Sequence, residues 1–272
     1  MDSTIEFQVL GPVRAHVDGH PLELGDSKQR LVLAVLLLEP NRLVPLERLV
    51  DLLWPQSPPT SSRRIVQAHL SRLRTTLSHA RHNGTSRPAE AAVVRHGPGY
   101  MLTCDPERID EHRFWVLLER ARRSTDAQEK VRLLREALDL WRGPALADVA
   151  TENVHDELCR GLDEARLSAF EERFVAELQL GHDGRLIAEL IDMAARHPFR
   201  QRFTELLMFA LYRDGQAVEA LAVYARTRQR LDSELGLEPS IELRHLHLAI
   251  LRGDPLLQHR LTVPPRAEPA PE

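Results

Sequence analysis

Residues Pro58 to Tyr100 read PPTSSRRIVQAHLSRLRTTLSHARHNGTSRPAEAAVVRHGPGY. Val66, Leu70, Leu73 and Leu77 recur at i, i+4, i+7 and i+11, so on a helix they fall within about 60° of one another. The opposite face then carries Ser61, Arg64, Ala68, Ser71, Arg72 and Thr75, with Arg63, Gln67 and Arg74 on its flanks. No acidic residue occurs from 60 to 79, whereas a merely solvated helix face usually mixes glutamate with arginine. Residues 80–90 form a polar loop. Val93 and Val94, then Tyr100, Met101 and Leu102, make the two arms of a hairpin around Gly97-Pro98-Gly99. A helix with one apolar stripe and a basic face, followed by a hairpin, has the form of a helix for the DNA major groove with a wing beside it.

The chain before this stretch supplies the rest of a small domain. Ile5, Phe7 and Val9 alternate with polar residues, as do Val13, Ala15 and Val17. Asp18-Gly19 is a turn signal, and Leu22 and Leu24 resume beyond it. This pattern predicts a small antiparallel sheet. Asp26 or Ser27 can cap the next helix. Its body, LVLAVLLLEP, is apolar nearly all round and so reads as central and buried. Pro40 and Asn41 end it. Pro45 suits the first turn of a second helix built on Leu46, Leu49, Val50 and Leu53, which closes at Trp54-Pro55.

From Ile109 onward the pattern is helical throughout: about 110–124, 127–142, 153–180, 184–196, 200–214, 216–235 and 239–252, with no convincing strand. FTELLMFALYRDGQAVEALAVYARTRQRL has the cadence of a tetratricopeptide unit, with Leu211 in the first helix, Gly215 at the turn, and Ala220 and Tyr224 in the second. Stacked helix pairs of this kind form concave surfaces for peptides or proteins; a plain helical bundle is the other reading. Residues 254–272 hold five prolines and no periodicity, the composition of a flexible tail. The domains expected are therefore 1–108, 109–253 and the tail 254–272.

Charge follows the same division. The 272 residues carry a net charge of −4, but residues 54–99 hold seven arginines against one acid, Glu90. A basic segment in an otherwise acidic chain is an electrostatic footprint for nucleic acid. Only Lys28 and Lys130 are lysine, a preference that points to a GC-rich genome and not by itself to bidentate contacts. The longest apolar run, Leu31 to Leu38, is too short to span a bilayer, and no secretion signal begins the chain, so a cytoplasmic, nucleoid-associated protein is expected. Cys104 and Cys159 read as buried free thiols. No phosphate-binding loop, dinucleotide fingerprint or metalloprotease motif occurs. His155-Asp156-Glu157 is a helix-start cluster without ligand spacing. His69, His79 and His82 read as solvated or phosphate-facing. No catalytic constellation, cofactor or metal site is expected. Nor does an acidic receiver pocket precede the first strand.

Several motifs together, SKQRLVLAVLLLEPNRLVPLERLVDLLWP, LSRLRTTL, GPGYML and HPFRQRFTELLMFALYRDGQAVEALAVYARTRQRLDSELGLEPS, resemble the Streptomyces antibiotic regulatory protein family over roughly residues 5–253. The ATPase and longer repeat regions of its large members have no counterpart here. The resemblance implies a mainly α fold with a small β component: an OmpR-like winged helix-turn-helix followed by an all-α, tetratricopeptide-like bacterial transcriptional activator domain. It implies an activator of a biosynthetic gene cluster, binding direct repeats in double-stranded promoter DNA as a homodimer and contacting RNA polymerase holoenzyme. By position, Arg72 reads bases with Gln67 and Ala68 beside it, and Arg64, Ser71, Arg74 and Thr75 hold phosphates. Arg95, His96 and Gly97 form the wing contact, with His96 standing where relatives often place a minor-groove arginine. Trp54, Gln56 and Ser57 fall in the loop that touches polymerase. The competing functions are a protein-interaction adaptor, or a repressor, acting through the helical half.

Overall fold

A computed structural model describes residues 5–79 and 91–258. The polar loop at 80–90, with His82, and the tail from 259 lie outside the described residues. β1 (Ile5–Gln8), β2 (Arg14–Val17) and β3 (His20–Pro21) form an antiparallel sheet in that order. Phe7 pairs with Ala15, and both side chains are buried, as the alternation predicts. The third strand is shorter than the spacing of Leu22 and Leu24 suggests, although the Leu22 amide still donates to the Ala15 carbonyl at 2.9 Å.

α1 (Ser27–Leu38) starts at Asp26, whose carboxylate accepts the Gln29 amide at 2.9 Å. Every residue from Leu31 to Leu37 is buried, which makes α1 the centre of the winged-helix core. Pro45 closes a two-residue strand, β4 (Val44–Pro45), and caps α2 (Leu46–Leu53) from outside the helix instead of opening its first turn. α3 (Ser62–His79) packs on α1, α2 and β5 (Ala91–His96). β5 and β6 (Gly99–Cys104) form the hairpin, and β4 adds on the far side of β6. The sequence pattern gave no sign of that third strand. It explains Gly99, where a Cβ would lie 2.4 Å from the Val44 carbonyl oxygen. Gly97, at φ 54°, makes the turn.

α4 (Asp110–Arg123), α5 (Ala127–Asp139), a continuous helical stretch 152–179 that ends in α7 (Arg160–Gln179), α8 (Asp183–Arg196), α9 (Gln201–Arg213), α10 (Ala217–Leu235) and α11 (Ile241–Arg252) follow. The short α6 (Glu152–Val154) opens that stretch, capped by Thr151, and the His155–Cys159 segment is a π turn inside it. The segment Pro255–Gln258 is a 3₁₀ turn against α9, so the tail's first residues are structured.

The described residues form two compact units, one drawn from 1–123 with 133–169 and the other from 124–132 with 170–272. The unit containing the winged helix thus continues past residue 108. Its junction is a buried carboxylate. Asp110 accepts the Val9 and Leu10 amides at 2.8 and 3.2 Å and pairs with the Arg142 guanidinium at 2.5 Å. Burial pushes its carboxyl above the usual range, while Arg142 and the two amides pull the other way. Asp148 repeats the device: it accepts the Val13 amide at 2.8 Å and Arg30 Nε at 2.7 Å. The Arg142-Gly143-Pro144 break is therefore an anchor on the leading sheet.

In the second unit, Ala220 and Tyr224 are buried beside α9 and Gly215 turns at φ 80°, as the repeat cadence predicts. Both cysteines are free and buried. Burial pushes the Cys104 thiol up to about 11 and the Cys159 thiol up to about 12, so neither is a ready nucleophile at neutral pH.

Candidate nucleic-acid interface

α3 is held by its apolar stripe. Val66, Leu70, Leu73 and Leu77 are all at most 2% exposed, each contributing roughly 1.5–3 kcal/mol through burial. With that face fixed inward, Arg64, Gln67, Ala68, Ser71, Arg72, Arg74 and Thr75 are all exposed. The structure therefore brings the predicted base and phosphate residues together on one surface of α3.

Those residues are not equivalent. Arg63 pairs with Glu47 of α2 at 2.9 Å. Arg74 Nε donates to the Val93 carbonyl of β5 at 3.0 Å, so this arginine ties the helix to the wing, a role its spacing did not reveal. The Thr75 hydroxyl donates back to the Ser71 carbonyl at 3.1 Å, which uses the donor a phosphate would need. No hydrogen bond or ion pair to a described residue engages Arg64 or Arg72.

His69 departs from expectation. It is 4% exposed, on the inner side of α3, neither solvated nor phosphate-facing. Neither ring nitrogen has a hydrogen-bond partner among the described residues; Nδ1 lies 4.0 Å from the Asp26 carboxylate. Burial holds its pKa below the usual 6.5. The Gln29 amide, with help from His69 and Arg72, lowers the Asp26 carboxyl. The N-cap of α1 thus places a negative charge beside the basic face of α3. A buried histidine at position 69 was legible in principle, since it lies 60° from Val66 on the helical wheel. His79, in the last turn, is exposed as expected.

Arg95, His96 and Gly97 are exposed at the hairpin tip, with Arg95 paired to Tyr100 and His96 to Gly99 across the ladder. In the loop after α2, Gln56 and Ser57 are exposed. Trp54 is half-buried: its amide donates to the Val50 carbonyl at 2.9 Å, and the Lys28 ammonium sits 4.3 Å above its ring. Trp54 therefore anchors the loop to α1 as well as bordering it. No cluster of His, Cys, Asp and Glu suited to a metal occurs among the described residues. No described helix is long and apolar enough to cross a membrane.

Known proteins share this arrangement. Residues 19–102 match the family described as transcriptional regulatory protein, C terminal, and residues 109–251 match the bacterial transcriptional activator domain. The regulatory protein DnrI of Streptomyces peucetius is 37% identical over 258 residues, covering 92% of this chain and 93% of DnrI. The transcriptional regulator RedD of Streptomyces coelicolor is 37% identical over 262 residues, covering 93% of this chain and 72% of RedD. A solved structure of Mycobacterium tuberculosis EmbR in complex with a low-affinity phosphopeptide aligns with a TM-score of 0.83 at 30% identity, covering 93% of this chain and 66% of that one. A winged helix with an exposed basic face, joined to a helical activator domain, defines a DNA-binding transcriptional regulator of the activator type. The chain belongs to the Streptomyces antibiotic regulatory protein family.

Proposed function

We propose that the protein binds direct repeats in the promoter of a biosynthetic gene cluster, as a dimer, and activates transcription by contacting RNA polymerase holoenzyme. α3 lies in the major groove. Arg72 reads guanine through O6 and N7, the commonest specific contact of arginine, with Gln67 and Ala68 against neighbouring base edges. Arg64, Ser71 and Arg74 hold phosphates, which fix register without reading sequence, while the Thr75 hydroxyl stays on the Ser71 carbonyl. Arg95, His96 and Gly97 meet the flanking backbone, and Trp54, Gln56 and Ser57 face polymerase.

One observation carries this reading: Arg64 and Arg72 are exposed on an acid-free helix face, and no hydrogen bond or ion pair to a described residue engages them. Guanidinium groups in that state remain available to phosphate and base edges, and the aligned small side chains of Ala68 and Ser71 let the helix approach closely. A gel-shift series on promoter DNA with tandem repeats about one helical turn apart tests it. Roughly four to six phosphate contacts per subunit give a log–log salt slope near −4 to −5. Equal affinity for a scrambled duplex would overturn sequence-specific binding.

A further inference from the structure

The second unit holds an open groove that the DNA face does not use. α9 packs against both α8 and α10, and the trough among the three encloses about 450 Å³, within the ~300–1,000 Å³ common for binding sites. Leu207 of α9 lies at its floor, Ile187 and Ile191 on the α8 side and Val223 on the α10 side. α8 already buries Leu186, Leu190 and Met193 on its inner face. Ile187 and Ile191 are thus a second apolar pair at i, i+4, and Ile191 remains 52% exposed.

Charge is ordered along the same groove. Glu219, Val223, Arg226 and Arg230 of α10 line it at i, i+4, i+7 and i+11. A carboxylate therefore stands at one end and two guanidiniums toward the other, over about 16 Å at 1.5 Å per residue. Arg230 reaches the exposed Glu234 at 3.6 Å. No hydrogen bond or ion pair to a described residue engages Arg226.

We propose that this groove binds an amphipathic helix of a partner protein, with apolar side chains on Ile187, Ile191 and Val223 and an acidic end on Arg226 and Arg230. The spacing of the lining residues matches the i, i+3/i+4, i+7 anchors of helix-in-groove recognition, and the arginines select the sign of the occupant. A second copy of this chain is a poor occupant. The most apolar exposed helix face among the described residues of this unit, Ile241, Leu248 and Leu251 of α11, carries Arg244 between them and would set arginine against Arg226.

The test uses the full chain and a fluorescein-labelled peptide of about sixteen residues, with leucines at i, i+4 and i+7 and glutamates at one end. A matched peptide replaces the glutamates with lysines. Anisotropy is expected to show the acidic peptide binding at least ~10-fold tighter than the lysine peptide. Arg226→Glu, at an exposed position that does not threaten the fold, reverses that order. Ile191→Asp removes binding of both peptides, and both variants keep promoter affinity within about twofold. Four results overturn the proposal: no binding of the acidic peptide, equal affinity for the two peptides, binding indifferent to Arg226→Glu, or a concentration-dependent dimer that Ile191→Asp abolishes. The last gives the groove to a second copy. Loss of DNA binding in Arg72→Ala with peptide binding intact separates this surface from the promoter contact.

Discussion

Arginine does opposite work in the two halves of the molecule. In the second unit, the buried and half-buried guanidiniums are absorbed into the fold, and Arg226 in its groove is the exception. Arg173 lies between Glu177 and Glu189 and over the Phe174 ring at 4.6 Å. Arg200 pairs with Glu171 at 2.5 Å, Arg202 with Glu205 at 2.8 Å and Arg213 with Asp183 at 3.3 Å. On α3 the same side chain divides. Arg63 and Arg74 are tied to Glu47 and to the Val93 carbonyl, while no such contact with a described residue engages Arg64 or Arg72. The cause is the supply of acids: Arg173 and Arg202 have one three or four residues away, Arg200 and Arg213 meet Glu171 and Asp183 of other helices, and α3 has no acid of its own. An arginine's function is thus decided by its neighbours, and the high arginine content of the chain says little by itself.

The sharpest way to break this comparison is to remove an absorbed arginine. Arg173 is 8% exposed and Glu177 2% exposed. Arg173→Ala takes away the countercharge and the cover over Phe174, and is expected to destabilise the second unit by about 3 kcal/mol, the range for breaking a buried pair. Denaturant unfolding followed by circular dichroism measures it; a loss under about 1 kcal/mol would mean that the pair is not structural.

Removing an unengaged arginine should do the reverse, leaving stability unchanged and cutting binding. Arg72→Ala is expected to cost about 1–3 kcal/mol on the cognate promoter and little on scrambled DNA. Arg64→Ala should weaken both and lower the magnitude of the salt slope by about 1. Identical behaviour of the two variants in a fluorescence titration would erase the division between base and phosphate contact. Arg74 falls between the classes. Arg74→Ala should lower the melting stability of the winged helix by about 1 kcal/mol through the lost bond to Val93, and weaken all DNA alike. Unaltered stability would make it a pure phosphate contact.

The helical pattern was legible almost everywhere, because an apolar stripe at a period of 3.6 is written in the residues it buries. Val66, Leu70, Leu73 and Leu77 announced α3, and Gly215, Ala220 and Tyr224 announced the helix pair. What the spacing did not reveal depends on contacts distant in sequence. The Val44–Pro45 strand is two residues long and is defined by the backbone of Gly99 and Tyr100. The Asp110–Arg142 anchor joins residues that no local pattern links to Val9 and Leu10. For the interface, side-chain direction was readable and side-chain engagement was not. The helical wheel put Arg74 on a flank, but only the position of β5 shows that its Nε is already bonded. His69 was misread because histidine suits both faces, and its location beneath Asp26 comes from the packing of α1 on α3.

That histidine supplies the smallest and most discriminating test. Burial, together with Arg72 one turn along and Lys28 on α1, disfavours its charged form, against a weaker pull from Asp26. The fold lowers its affinity for the proton, while the unfolded chain takes the proton up at the ordinary 6.5. Between the two, the unfolded state binds more protons, so stability is full above pH 6.5 and falls as pH drops through the lower folded value. His69→Leu removes this proton uptake. Urea unfolding at pH 7.5 and pH 5.5 should therefore show a smaller acid loss for His69→Leu than for the parent chain. The comparison is between slopes, because His247, also lowered by burial against Tyr224, contributes to both. An unchanged slope would mean that the His69 ring takes up its proton as readily in the fold as in the unfolded chain.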